Sequence, residues 1–285
     1  MSHLTTQWQE IHSTLAAGAL IPYLGPGLLA LQPAGPVPAA PEPLADFMAA
    51  RVALPHKIRR RLTAAAQFIE NFKHRKTLVN LMQQAFSPVL PALALQQALA
   101  SAPELKLIVS VWYDDAMREA LRALPAGTGW GQVQGLSQAE HFGTWFQYYG
   151  ADGTPAEPHD AHFWSKLLYQ PIGAHAPAAN YLVSDSDYVE VLTEIDIQTP
   201  IPPLVQTLRR GSHFLFLGCR FNDQLQRTFA RQIIKRSSTR HWAVLEGPLT
   251  PNERRFMTEY GIEQVDQPLA DFCAAWLAQT MAPIL

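Results

Sequence analysis

Apolar positions along the chain change their period several times, and each change marks an element. Leu4, Trp8, Ile11 and Leu15 recur at helical spacing, predicting a lead-in helix over residues 4–17 that packs on a sheet. The short apolar run 20–24 follows as a first strand. From 44 to 100 the pattern is helical, with stretches at 44–52, 62–72 and 78–86 and breaks at Pro55, Pro88 and Pro91, so a small helical insertion is expected there. Residues 105–111 form a β-branched run, the polar Tyr113-Asp114-Asp115 closes it, and 116–124 is helical again. Residues 125–153 are glycine-rich and aromatic without a clean period, which predicts irregular strands and a turn. Further short strands are predicted at 166–169, 181–184, 213–217 and 241–245, with a helix at 224–235. Strands alternating with helices imply an α/β fold, a doubly wound, mostly parallel, Rossmann-like sheet, in one domain over 1–285 that carries the 44–100 insertion.

Composition narrows the function. The chain has 285 residues, 22 basic and 24 acidic, with a formal net charge of −2, so no large field of one sign attracts nucleic acid or an anionic membrane. The basic run His56–Arg61 reads as a solvated helix face. Two cysteines, Cys219 and Cys273, cannot build a disulfide framework or a zinc module of three or four cysteines, and fit a reducing compartment. Residues 1–10 lack the order of a signal peptide, and no apolar run approaches bilayer-spanning length. A soluble cytoplasmic protein is expected, with a protein partner or a second copy of itself as the kinds of partner to look for.

The densest chemical signal is Ile21-Pro-Tyr-Leu-Gly-Pro-Gly27, an apolar strand running into two glycines one residue apart. Glycine at 25 and 27 removes Cβ where a backbone turns sharply or approaches a ligand, and strand-to-helix turns of open α/β sheets are where pyrophosphates bind. Residues 32–43 hold five prolines and form a stiff loop expected to stand over that turn. His159, Asp160 and His162 offer two imidazoles and a carboxylate, but flanking prolines suggest an extended loop, and no third histidine is fixed nearby. Cys219 reads as a small buried thiol and the aromatic run 145–149 as core.

Several motifs match one family in order. The glycine turn resembles the apolar-P-x-x-G-A-G opening of the sirtuin-like superfamily, and Ala34-Gly35-Pro36-Val37-Pro38 is similar to the small-Gly-x-Pro loop that follows it. Residues 108–121, through Trp112-Tyr113-Asp114, resemble that family's strand, T-T-N-Y-D loop and helix. Residues 169–188 resemble the stretch from the His-Gly pair to the D-Y that opens the next helix, here Asp187-Tyr188. Residues 214–223 look like the strand and G-y-S-x-x-D turn. The chain is closest in character to the bacterial branch without a zinc ribbon. The resemblance implies a site for NAD or ADP-ribose, without zinc, in which Gly25, Pro26 and Gly27 face the pyrophosphate and Gly218 passes the adenosine. Ser110, Tyr113, Asp114 and Asp223 complete that site, the last three also being natural turn-closing or cap residues.

The departures carry as much information. Active relatives place an asparagine and a histidine beside the nicotinamide–ribose bond, the second as general base. Trp112 stands where the asparagine belongs, and an indole donates only through its ring nitrogen. If Gly173 is the family glycine, the base position is Ile172; if Ala176 replaces that glycine, His175 fills the slot. Pro26 removes one amide donor from the turn. Three readings remain: a nucleotide-binding domain with lost or weakened catalysis that acts through binding or assembly; an NAD glycohydrolase of a bacterial defence system using His175; and a ligand-free interaction protein whose pocket Trp112 and the proline loop have filled.

Overall fold

The computed structural model describes residues 3–32, 35–125, 127–197 and 201–280. Its centre is a nine-stranded sheet in the order β11-β10-β9-β1-β2-β6-β3-β4-β5, built from β1 (Leu20–Leu24), β2 (Leu107–Ser110), β3 (Trp130–Gly135), β4 (Phe146–Gly150), β5 (Pro155–Ala156), β6 (Lys166–Gln170), β9 (His213–Leu217), β10 (His241–Val244) and β11 (Ile262–Val265). All pairings are parallel except β3–β4 and β4–β5 at one edge. Two short strands, β7 (Gly173–Ala174) and β8 (Asn180–Tyr181), pair separately as an antiparallel ribbon.

Strand side chains alternate between two apolar layers, as the period of a strand requires. Tyr23, Val109, Val133, Tyr169, Phe214 and Phe216 enter one layer, under α2 (Pro41–Ala49), α3 (Leu62–Lys73), α4 (Arg75–Phe86), α7 (Asp185–Ile197), α8 (Pro203–Leu208), α9 (Gln224–Ile234) and α10 (Pro251–Glu259). Leu24, Ile108, Trp130, Leu168, Leu215 and Leu217 enter the other, under α1 (His3–Ala16), α5 (Ala94–Ser101), α6 (Ala116–Arg122) and α11 (Leu269–Thr280). The sheet is therefore covered on both faces, the doubly wound α/β arrangement the pattern predicts. Helices α2 to α5 fill the predicted insertion between β1 and β2, the first three on one face and α5 on the other.

Three segments differ from the pattern reading. Residues 130–150 form a regular hairpin rather than irregular strands, because Gly131 and Gly135 accept the Trp164 ring and the Pro171 carbonyl where a Cβ would sit 2.3 and 2.0 Å from them. The strand predicted at 181–184 stops after Tyr181: the amides of Val183 and Ser184 donate to Asp187 Oδ2 at 2.8 and 3.0 Å, so they cap α7 instead of joining a ladder. Beyond residue 245 the pattern assigns nothing, whereas the structure adds α10, β11 and α11. Pro33 and Ala34 of the proline loop lie outside the described residues. Among the described residues, no helix is long and apolar enough to cross a membrane.

The order of the strands positions the site. Chain order runs outward from β1 through β2 on one side and through β9, β10 and β11 on the other, so the direction of winding reverses between β1 and β9. Ligands of open α/β sheets bind outside the carboxyl ends of the strands at such a point.

Candidate functional site

The loops leaving β1 and β9 meet at that reversal and interlock. Gly25 N–H donates to Leu217 O at 2.8 Å, Gly27 N–H to Gly218 O at 2.9 Å, and Leu28 N–H to Gly25 O at 3.3 Å. Pro26 has no amide, so every backbone donor from 25 to 28 has a partner inside the protein. The glycines are required by this approach: a Cβ on Gly25 would lie 2.5 Å from Gly218 O, and one on Gly27 2.8 Å from the same atom. Gly218 adopts φ +67°, and its Cβ would stand 2.5 Å from Leu28 N. The amides of Gly25 and Gly27, which the resemblance places at a pyrophosphate, hold the two loops together here. Pro26, Gly27 and Gly218 remain partly exposed at the crevice.

Cys219 continues the β9 loop with its thiol buried against Tyr23 O and Leu217 O, at 3.6 and 3.7 Å. Burial pushes its pKa up, the opposite of what a reactive thiolate needs. Asp223 caps α9, its Oδ1 accepting from Leu225 N at 2.8 Å and Gln226 N at 3.1 Å.

On the β2 side, Ser110 is buried at the strand end in register with Leu24, and Val111 N–H extends the pairing to Leu24 O at 2.8 Å. Trp112 follows and turns inward: 4% of it is exposed, and its Nε1–H donates to Pro38 O at 2.8 Å. Its ring meets Phe86 of α4 edge-on at 5.9 Å between centroids and Tyr113 at 5.1 Å. A single backbone acceptor satisfies the one polar atom of the indole, so the remainder packs as core. Tyr113 is fully buried and donates through its hydroxyl to Leu182 O at 2.7 Å. Asp114 Oδ1 accepts from Ala116 N at 3.0 Å and starts α6. Burial raises its carboxyl to about 6.

The two candidates for the base position stand in different surroundings. Ile172 is buried in the same apolar layer as Trp112, and its carbonyl accepts from Leu182 N at 2.9 Å. Gly173 after it has φ +78°, and a Cβ there would come 2.1 Å from Asn180 O, so only glycine fits. His175 is half-buried, its amide donating to Tyr113 O at 2.9 Å and its Nδ1 sharing a hydrogen bond with Tyr181 Oη at 3.1 Å. Burial lowers its pKa. These partners belong to the β2 and β8 segments, not to the glycine turn. A nearby apolar cavity lined by Tyr169, Pro171, Leu182 and Phe229 measures about 10 Å³, room for no more than about one water.

Around His175 lies a polar network that pattern reading missed. Asp115 Oδ1 accepts from Ala176 N at 2.9 Å, and Gln132 and Gln134 donate to Ala176 O at 3.1 and 2.6 Å. Asn180 Nδ2 reaches Gln134 Oε1 at 3.0 Å and Tyr149 Oη at 3.3 Å. Arg118 Nε, Gln132 Oε1 and Gln170 Oε1 are buried without a hydrogen-bond partner. The only signal available in the sequence was the alternation of glutamines at 132 and 134 within an otherwise buried strand.

With this geometry in view, a family model described as SIR2-like domain matches residues 106–265, more than half of the chain. The chain belongs to the SIR2-like family. The match runs from β2 to β11 and so includes Trp112, Ile172, His175 and Gly218, while the glycine turn after β1 precedes it. A comparison with curated proteins gives no match. The family is NAD-related. Trp112 and Ile172 are buried in one apolar cluster, and the amides of Gly25, Gly27 and Leu28 have partners within the protein. His159 and Asp160 form an exposed contact at 3.3 Å, and among the described residues no group of three or more His, Cys, Asp or Glu is arranged to hold a metal ion.

Proposed function

We propose that this SIR2-like domain does not cleave NAD and acts through binding or assembly, its nicotinamide side filled by its own side chains. The observation that carries this reading is Trp112, buried with its only polar atom on Pro38 O, at the position where active relatives resemble one another in carrying asparagine. Ile172 supports it, because its sec-butyl side chain has no titratable proton and general base catalysis needs a titratable group within hydrogen-bond reach. ADP-ribose is the ligand that suits such a domain if it keeps one, since it lacks the ring for which Trp112 leaves no room. The partial exposure of Pro26, Gly27 and Gly218 at the winding reversal favours that retained binding.

Calorimetry with NAD and ADP-ribose tests the reading. The native protein is expected to bind ADP-ribose at least as tightly as NAD. Trp112→Asn should improve NAD binding, with turnover staying at background until Ile172→His is added. Tighter binding of NAD than of ADP-ribose by the native protein would overturn the filled-subsite account, and rapid NAD loss would favour a His175-based glycohydrolase.

A further inference from the structure

At the opposite end of the sheet, the turn after α9 and the first residues of β10 and β11 border a cleft of about 610 Å³. That volume lies within the range of small-molecule sites, about 300–1,000 Å³. Arg231, Lys235 and Arg236 line it with one carboxylate, Glu259, and with Ser237, Ser238 and Thr239. Lys235 and Arg236 are exposed to solvent.

Two features make this more than a basic surface. A helix carboxyl end ordinarily repels anions through its unpaired carbonyls. Here the Gln232 and Ile233 carbonyls both accept from Arg209 Nη1 at 2.8 Å, and Ile234 O accepts from Ser237 Oγ at 2.5 Å, so that repulsion is neutralised. Arg236 also stands just past the end of α9 with φ +66°, where glycine is the favoured residue. A cation is thus kept in a conformation that L side chains rarely adopt, and strain of this kind concentrates at functional positions.

We infer that this cleft binds a small phosphorylated anion, of the phosphomonoester or pyrophosphate class, at a site separate from the crevice at the carboxyl ends of the strands. Guanidinium and ammonium groups beside a row of hydroxyls supply charge-assisted hydrogen bonds to phosphate oxygens, and Tyr260 on the same wall offers an aromatic neighbour to whatever the phosphate carries.

Calorimetry at low ionic strength, with inorganic pyrophosphate and adenosine 5′-monophosphate as probes, tests it on the full chain. Binding by the native protein should weaken at least tenfold in Arg236→Gly combined with Lys235→Ala. Arg236→Gly relieves the backbone strain, so a thermal melt no lower than native for that single variant separates lost binding from lost folding. No binding of either probe by the native protein overturns the inference. So does binding that survives the double substitution, because the anion is then held elsewhere, including at the glycine turn. The outcome is independent of whether NAD or ADP-ribose binds at the other end.

Discussion

The two ends of one sheet have been treated differently. At the carboxyl ends of the strands, where this fold ordinarily holds its ligand, polar groups satisfy one another: glycine amides on the facing loop, an indole N–H on Pro38 O, Asp223 on its own helix. At the other end of the sheet, Arg231, Lys235 and Arg236 line an open cleft beside the start of β10. A position inherited from a ligand site and a position suited to hold a ligand are therefore not the same thing.

The first way to break this comparison is to empty the filled end. Trp112→Ala should destabilise the protein by about 3–5 kcal/mol, the cost of removing a buried aromatic ring that leaves a cavity, read by urea unfolding. A loss below about 1 kcal/mol would mean that the ring does not fill the crevice. Gly218→Ala should follow at about 2–4 kcal/mol, because the added Cβ meets Leu28 N in a left-handed residue and forces the β1 and β9 loops apart. A melt within a degree of native would show that the loops are not interlocked.

Most of the fold was legible in the pattern of apolar residues, because strands buried on both faces and helices with one apolar stripe leave strong periods. Leu20–Leu24 and His213–Leu217 are read with their boundaries intact. The reading failed where a side chain decided the backbone's fate: Asp187 takes two amides that the run 181–184 would otherwise offer to a sheet. The candidate site was legible as residues but not as roles. Gly25, Gly27 and Gly218 announce a close approach in any sequence, yet only their partners show that they approach each other. The Asp115, Gln132, Gln134 and Asn180 network was invisible because its members come from three separate segments and converge on one carbonyl or amide of Ala176 and its neighbours.

A pH titration of stability sharpens the same contrast. Asp114 is protonated up to about pH 6 in the folded protein but ionises near 3.8 when unfolded. Between those values the unfolded chain binds fewer protons, so stability falls as pH rises from about 4 through 6, by about 3 kcal/mol for this group. Asp115, raised to about 6 by burial, acts in the same direction, whereas His175, whose pKa is lowered, acts oppositely as pH drops below 6.5. Asp114→Asn keeps the acceptor for Ala116 N and should flatten the fall; an unchanged slope would mean that the carboxyl is not desolvated. The smallest effect belongs to the open end, where Arg236→Gly should leave stability unchanged or raise it by about 1 kcal/mol as strain is relieved. A clear loss would mean that the Arg236 side chain holds the turn together.

The central claim, that the chain keeps a SIR2-like fold without its NAD cleavage, is tested most directly by nicotinamide release from NAD, followed chromatographically over hours at neutral pH with the native protein. The account predicts no release above a heat-inactivated control, because on the proposed reading the buried Trp112 takes the place of the nicotinamide ring and Ile172 that of the base. Steady release in proportion to protein concentration, abolished by His175→Ala, would contradict it.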